Sequence, residues 1–114
     1  MPDGYVEAGL SVEKNAFVVV WEFWVRVGAE VEFERAYGPD GAWVRLFSSD
    51  AAYGGTRLVR DVSQDRRYLT LDSWESAAAY EAFKRNHVAE YGEIDRECER
   101  LTEREKEIGR FVGV

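Results

Sequence analysis

Few side chains in this sequence are suited to proton transfer, and two of them stand in apolar surroundings. His87 is the single histidine, and its unperturbed pKa near neutrality makes it the best base on intrinsic grounds. Tyr80, Phe83, His87 and Tyr91 recur at i, i+3, i+7 and i+11, which places all four on the aromatic face of one helix. The competing role for His87 is a packed, hydrogen-bonded structural residue, or a solvated one beside Asn86 near a helix end. Glu22 is one carboxylate within the run Phe17 to Val25, and an acid placed there either pairs with a cation or keeps a raised pKa. A structural ion pair with an arginine of a neighbouring strand, such as Arg57 or Arg60, is the alternative to a site role. The single cysteine, Cys98, forms no internal disulfide and no metal-ligand cluster. Its spacing from Ile94 and Leu101 favours a small core residue of a helix over the alternative, a reactive thiol.

The stretch Arg67 to His87 must position most of these groups. Side chains alternate along a strand, so Tyr68, Thr70, Asp72 and Trp74 share one face and Leu69 and Leu71 the other. Ser76 can cap the following helix by accepting a hydrogen bond from a free N–H of its first turn, and Ala77 to Ala79 are strong helix formers. Gly92 reads as the C-terminal stop of that helix. Trp74 reads equally as a pocket wall and as a core plug at the strand-helix junction.

The remaining elements follow from period and punctuation. Phe17 to Val25 is dense in β-branched and aromatic residues and reads as a first, central strand, with Val18, Val20, Glu22 and Trp24 on one side. Ala29, Phe33, Ala36 and Tyr37 form a helical stripe, Gly38 to Gly41 breaks it, and Asp40 can cap a short helix with Trp43, Leu46 and Phe47 on its core face. Tyr53 to Asp61 reads as a strand opening on a Gly-Gly bulge, joined through Ser63 to Arg66 in an antiparallel hairpin with the strand at Arg67. Ile94, Cys98 and Leu101 mark another helix whose dense charge is a solvated face, and Thr102 to Val114 a last strand at an exposed edge. Residues 1–16 read as an N-terminal arm or tail, with Leu10 and Val12 able to form a short edge strand, and 17–114 as the domain.

Composition narrows the partners. A chain of 114 residues with 46% hydrophobic residues supports one core, small enough that oligomerisation would help bury it. A formal net charge of −7 argues against nucleic-acid or anionic-membrane partners, which need a basic face. No apolar run approaches transmembrane length, and the first residues lack a secretory pattern, so a cytoplasmic location is expected. The order strand, helices, strand, strand, helices, strand is the α+β, ferredoxin-like split β-α-β arrangement: a four-stranded antiparallel sheet with helices on one face. Its other face is apolar, and a second copy of the chain is the expected cover.

The first strand with Gly28, the Glu-Phe-Glu-Arg-Ala-Tyr helix from Glu32, the Gly-Pro-Asp-Gly-Ala-Trp turn from Gly38, and the run from Tyr68 through Trp74-Glu75-Ser76 to Phe83 together resemble the antibiotic biosynthesis monooxygenase family of dimeric α/β barrels. The likeness covers roughly residues 17 to 113. That family includes cofactor-independent oxygenases acting on polycyclic phenols, haem-degrading enzymes, quinol-processing proteins and members without known activity, so fold alone does not assign function. The haem-degrading branch uses an Asn on the first strand, the junction Trp and a helix His; Trp74 and His87 are present here, but Phe17 to Val25 holds no Asn. A cofactor-free oxygenase needs a base, hydrogen bonds to hold a phenolate, and a dry cavity. The resemblance therefore implies a homodimer handling a small phenol- or quinol-like molecule with no cofactor and no metal. His87, Trp74 and Asp72 would be its catalytic residues, and Glu22, Trp24, Tyr68, Thr70, Tyr80 and Phe83 its binding residues. A pocket of roughly 300 Å³ or more with converging polar groups would suit an enzyme. The alternative is a non-catalytic homodimeric ligand-binding or structural module.

Overall fold

The β-branched and aromatic run Phe17–Val25 forms β1, an inner strand of the sheet in the computed structural model, which describes residues 12–114. It pairs antiparallel with β3 (Arg67–Trp74) on one side and β4 (Thr102–Val112) on the other. Strand β2 (Tyr53–Arg60) pairs antiparallel with the outer side of β3, giving the sheet order β2-β3-β1-β4. Between strands run α1 (Glu30–Tyr37), α2 (Ala42–Phe47), α3 (Ala77–Asn86) and α4 (Val88–Cys98), the last continued by a 3₁₀ turn at Glu99–Leu101. This is the expected ferredoxin-like split β-α-β fold, with the helices on one sheet face.

Alternation decides which residues build the core. Val19, Phe23 and Val25 of β1 meet Phe33, Tyr37, Trp43, Phe47 and Phe83 from the helices, with Tyr68 and Trp74 of β3 among them. The aromatic rings interlock, Phe33 lying 4.8 Å from Tyr68 and 5.2 Å from Phe23 between centroids. Val18, Val20, Glu22 and Trp24 alternate onto the opposite face, which no helix covers. Gly109 pairs with Val20 there, and the ring of Phe111 folds over the glycine, where an added Cβ would stand 2.6 Å from it.

Several local expectations hold. Ser76 Oγ accepts a hydrogen bond of 3.0 Å from Ala79 N, Cys98 is buried, and the register shifts between Tyr53 and Gly55, where Gly55 has φ +120°. The aromatic helix is the main correction. It ends at Asn86, His87 joins α3 to α4, and Gly92 lies inside α4. His87 Nδ1 donates to the Phe83 carbonyl at 3.0 Å, closing α3 at that point, while Ile94 and Cys98 pack α4 onto the core and outweigh the helix propensity of glycine. Tyr91 is therefore on a different helix from Tyr80 and Phe83.

Asp40 does not cap α2; Gly41 holds that position with extended backbone and no side-chain cap. Gly41 is needed there because a Cβ would sit 2.1 Å from the Ala36 carbonyl oxygen. Gly41→Ala should cost about 1–3 kcal/mol through forced separation of α1 and α2, measurable as a lower denaturation midpoint at unchanged m-value.

Of the N-terminal arm, residues 1–11, Leu10 included, lie outside the described residues. Val12 is not in a strand, and the following turn is tied to the end of β4: Asn15 N donates to Gly113 O at 2.8 Å and Gly113 N to Ala16 O at 2.9 Å.

Candidate functional site

A cavity of about 120 Å³ lies between the helix-covered face of the sheet and helices α1, α2 and α4. Its walls are aromatic: Trp21 and Phe23 from β1, Tyr37 from α1, Trp43 and Phe47 from α2, and Tyr91 from α4. Its polar groups are Thr56 on β2, Thr70 and Asp72 on β3, Asp95 on α4 and Glu105 on β4. The volume is below the expected pocket of roughly 300 Å³ and near that of apolar cavities of about 150 Å³ that admit benzene, so the space, open to solvent on one side, is on the scale of one aromatic ring.

Asp72 is the chemically distinctive group. Strand pairing sets it opposite Thr56, whose hydroxyl donates to Asp72 Oδ1 at 2.6 Å; the Tyr53 hydroxyl in turn donates to Thr56 Oγ1 at 2.5 Å. Burial raises the Asp72 pKa from 3.8 to about 6, and the Thr56 hydrogen bond opposes that rise only in part. Asp72 is thus a carboxylate at neutral pH that holds a proton more strongly than an ordinary aspartate. Burial likewise raises Tyr37 and Tyr91 above the usual tyrosine range, so both wall hydroxyls stay protonated. Glu105, although an exposed residue, is raised first by partial desolvation of its carboxyl and then by the like charges of Asp95 and Glu99.

The structure separates the residues singled out in the sequence. Thr70 and Asp72 line the cavity. Tyr68, Trp74, Tyr80 and Phe83 share the same side of the sheet but fill the core beside it. Tyr68 donates to Glu34 Oε2 at 2.5 Å and, pushed up to about 12 chiefly by burial, serves as a strut between β3 and α1. Tyr80 is also pushed up to about 12 by burial. Trp74 is 1% exposed, with Phe83 at 5.0 Å and Tyr80 at 5.6 Å between centroids. His87 stacks on Phe83 at 4.4 Å at the α3–α4 junction and is not among the cavity's lining residues.

Glu22 and Trp24 lie on the opposite sheet face, because the odd residues of β1 turn toward the helices. Arg67 Nε donates to Glu22 Oε2 at 2.7 Å while its Nη1 donates to Asp61 Oδ2 at 2.7 Å, so the arginine is Arg67 rather than Arg57 or Arg60. Trp24 carries the Arg104 guanidinium 4.9 Å from its ring centroid.

The sequence pattern assigns Trp43 and Phe47 to the core, Asp95 to a solvated helix face and Glu105 to an exposed edge strand, and so marks none of the four as part of a site. Thr56 was within reach: counting the hairpin pairs back from Arg60 opposite Tyr68 sets it opposite Asp72, before the bulge at the Gly-Gly pair is reached. Among the described residues no group of three or more His, Cys, Asp or Glu side chains could hold a metal ion, and no helix is long and apolar enough to cross a membrane.

No family model matches the sequence, and no curated protein does. Solved structures do. A candidate antibiotic biosynthesis monooxygenase from Bordetella bronchiseptica superposes with a TM-score of 0.71 at 19% identity, covering 89% of this chain and 99% of the other. SnoaB, a cofactor-independent oxygenase from Streptomyces nogalater, matches with a TM-score of 0.58 at 15% identity over 88% and 94% of the two chains. The heme-degrader MhuD of Mycobacterium tuberculosis, solved with two hemes bound, matches with a TM-score of 0.60 at 22% identity over 86% and 95%. The expected likeness to the antibiotic biosynthesis monooxygenases thus holds at the level of the fold, which these proteins share while differing in chemistry.

Proposed function

We propose that the protein is a cytoplasmic, homodimeric oxygenase of the cofactor-independent type that acts on a one-ring phenol or dihydroquinone, with Asp72 as its base. The observation that carries this reading is a half-buried carboxylate, raised to about 6 and fixed by the Tyr53–Thr56 relay, at the wall of an aromatic cavity of one-ring size. The fold it shares with a cofactor-independent oxygenase supports the same chemistry.

Asp72 takes the phenol proton, and the Thr70 hydroxyl donates to the phenolate oxygen. Moving a proton from a phenol of pKa about 10 to Asp72 is uphill by roughly 5 kcal/mol. A turnover near 10 s⁻¹ corresponds to a barrier of about 16 kcal/mol, so this step leaves most of the barrier for oxygen chemistry. The phenolate passes an electron to O₂, the radical pair joins at a ring carbon, and the resulting hydroperoxide loses water. One oxygen atom enters the ring, the other leaves as water, and the phenol becomes a quinone.

The dimer reading rests on the uncovered sheet face, where Leu69 and Leu71 lie only half-buried and Phe111 is 53% exposed. Leu71→Glu should convert a species of twice the chain mass into monomer in light scattering; a wild-type monomer would overturn this part. For activity, an oxygen electrode with a panel of one-ring phenols and dihydroquinones should show uptake above background by wild type and by His87→Ala, which leaves the cavity lining intact. Background uptake across the panel would favour a non-catalytic ligand-binding module.

A further inference from the structure

The cavity carries charge that the proposed proton transfer does not use. Asp95 and Glu105 line it from α4 and β4, Asp95 half-buried and Glu105 exposed, so the charge runs from the cavity wall to its solvent side. No lysine, arginine or histidine lines the cavity, and neither acid forms an ion pair among the described residues. Two acids without a cation, beside Glu99, repel one another and favour any ligand that brings positive charge. A second observation lies deeper. Thr70 is 4% exposed and lines the cavity, where its hydroxyl can hydrogen-bond a polar group of the occupant.

We propose that the occupant is a one-ring phenol bearing a cationic amine, with its hydroxyl at Thr70 and Asp72 and its ammonium at Asp95 and Glu105. This rests on the cavity being the active site and specifies its substrate class. The two ends ask for different chemistry: a hydrogen-bonding, ionisable hydroxyl inside and a cation outside. Aromatic walls between them suit the ring and add cation–π attraction for an ammonium. A carboxylated phenol would place a third negative charge beside Asp95 and Glu105. A metal ion is a weaker match, since the described acids do not reach a three-ligand grouping.

Three probes of similar size isolate the charge: tyramine, 4-ethylphenol and 3-(4-hydroxyphenyl)propionate. Binding at pH 7.5 and low salt is followed by quenching of tryptophan fluorescence, Trp21 and Trp43 being in the cavity wall. Tyramine should bind at least ten-fold tighter than 4-ethylphenol, which corresponds to about 1.4 kcal/mol, and the propionate at least ten-fold weaker. The tyramine advantage should shrink at 1 M salt. It should fall below two-fold in Asp95→Asn/Glu105→Gln, and Glu105→Lys should shift preference toward the propionate, with the fold of both variants verified by circular dichroism. Equal affinities, tightest binding of the propionate, no saturable binding of any probe, or an unchanged preference in the folded double variant would overturn the proposal. The affinities require no turnover. Oxygen uptake on 4-ethylphenol without an amine preference removes this inference alone; an amine preference without uptake on any probe removes the oxygenase reading and keeps the cationic site.

Discussion

Asp72→Asn should abolish phenol-dependent oxygen uptake and, at neutral pH, make the protein more stable. The first effect follows from losing the base, which costs about 10²–10⁴-fold where general base catalysis is used. The second follows from burial. The Asp72 pKa is 3.8 unperturbed and about 6 in the fold, so the folded state favours the protonated form. The contribution of Asp72 to folding stability is then fully present below pH 4 and is lost as pH rises through about 6, about 3 kcal/mol in all. Asparagine never ionises and can still accept the Thr56 hydrogen bond through its carbonyl oxygen. The variant should therefore gain up to about 3 kcal/mol at pH 8, seen as a rise in Tm of up to about 12 °C, and should match wild type near pH 4. A pH-independent difference would mean that Asp72 is not a desolvated, titrating carboxylate. A stabilised variant with full activity would leave its burial intact and remove its role as base. The same titration predicts that wild-type activity rises with pH through about 6.

Trp74→Ala should produce the largest loss of stability of any single change at the positions where the resemblance places function. The indole is 1% exposed and wedged among Phe47, Tyr53, Tyr80 and Phe83. Truncating a buried aromatic of this size costs about 3–5 kcal/mol, a large share of the 5–15 kcal/mol available to a typical domain. The corresponding fall in Tm is more than about 10 °C. Trp74→Phe separates packing from catalysis. It removes volume, but it also removes an indole N–H that is buried without a hydrogen-bond partner, and leaving such a group unsatisfied costs about 1–3 kcal/mol. The phenylalanine variant should remain folded and keep turnover within a few-fold. A stable but inactive Trp74→Phe would show that the indole takes part in the chemistry despite lying outside the cavity lining.

These two residues stand two apart on β3, share a face and have different fates, which shows where local pattern stops being informative. The alternation along Arg67 to Trp74 determined that Tyr68, Thr70, Asp72 and Trp74 would project together, and it holds. The serine cap, the glycine bulge, the hairpin and the buried cysteine were equally local, and the order of elements was enough for the ferredoxin-like fold. Only the tertiary structure decided which of two apolar faces of β1 the helices cover. Both faces carry valine and aromatic residues, so period two separates them without saying which is inner; Glu22 and Trp24 consequently fall on the side away from the cavity. The break at His87 was hidden because the aromatic spacing continues smoothly from Phe83 to Tyr91 while the backbone changes direction between them. The assembly of Asp72, Asp95 and Glu105 around one cavity was hidden for a further reason. They come from β3, α4 and β4, and their proximity depends on the packing of α4 over a sheet in which β1 lies between the two strands, a relation that no local window contains.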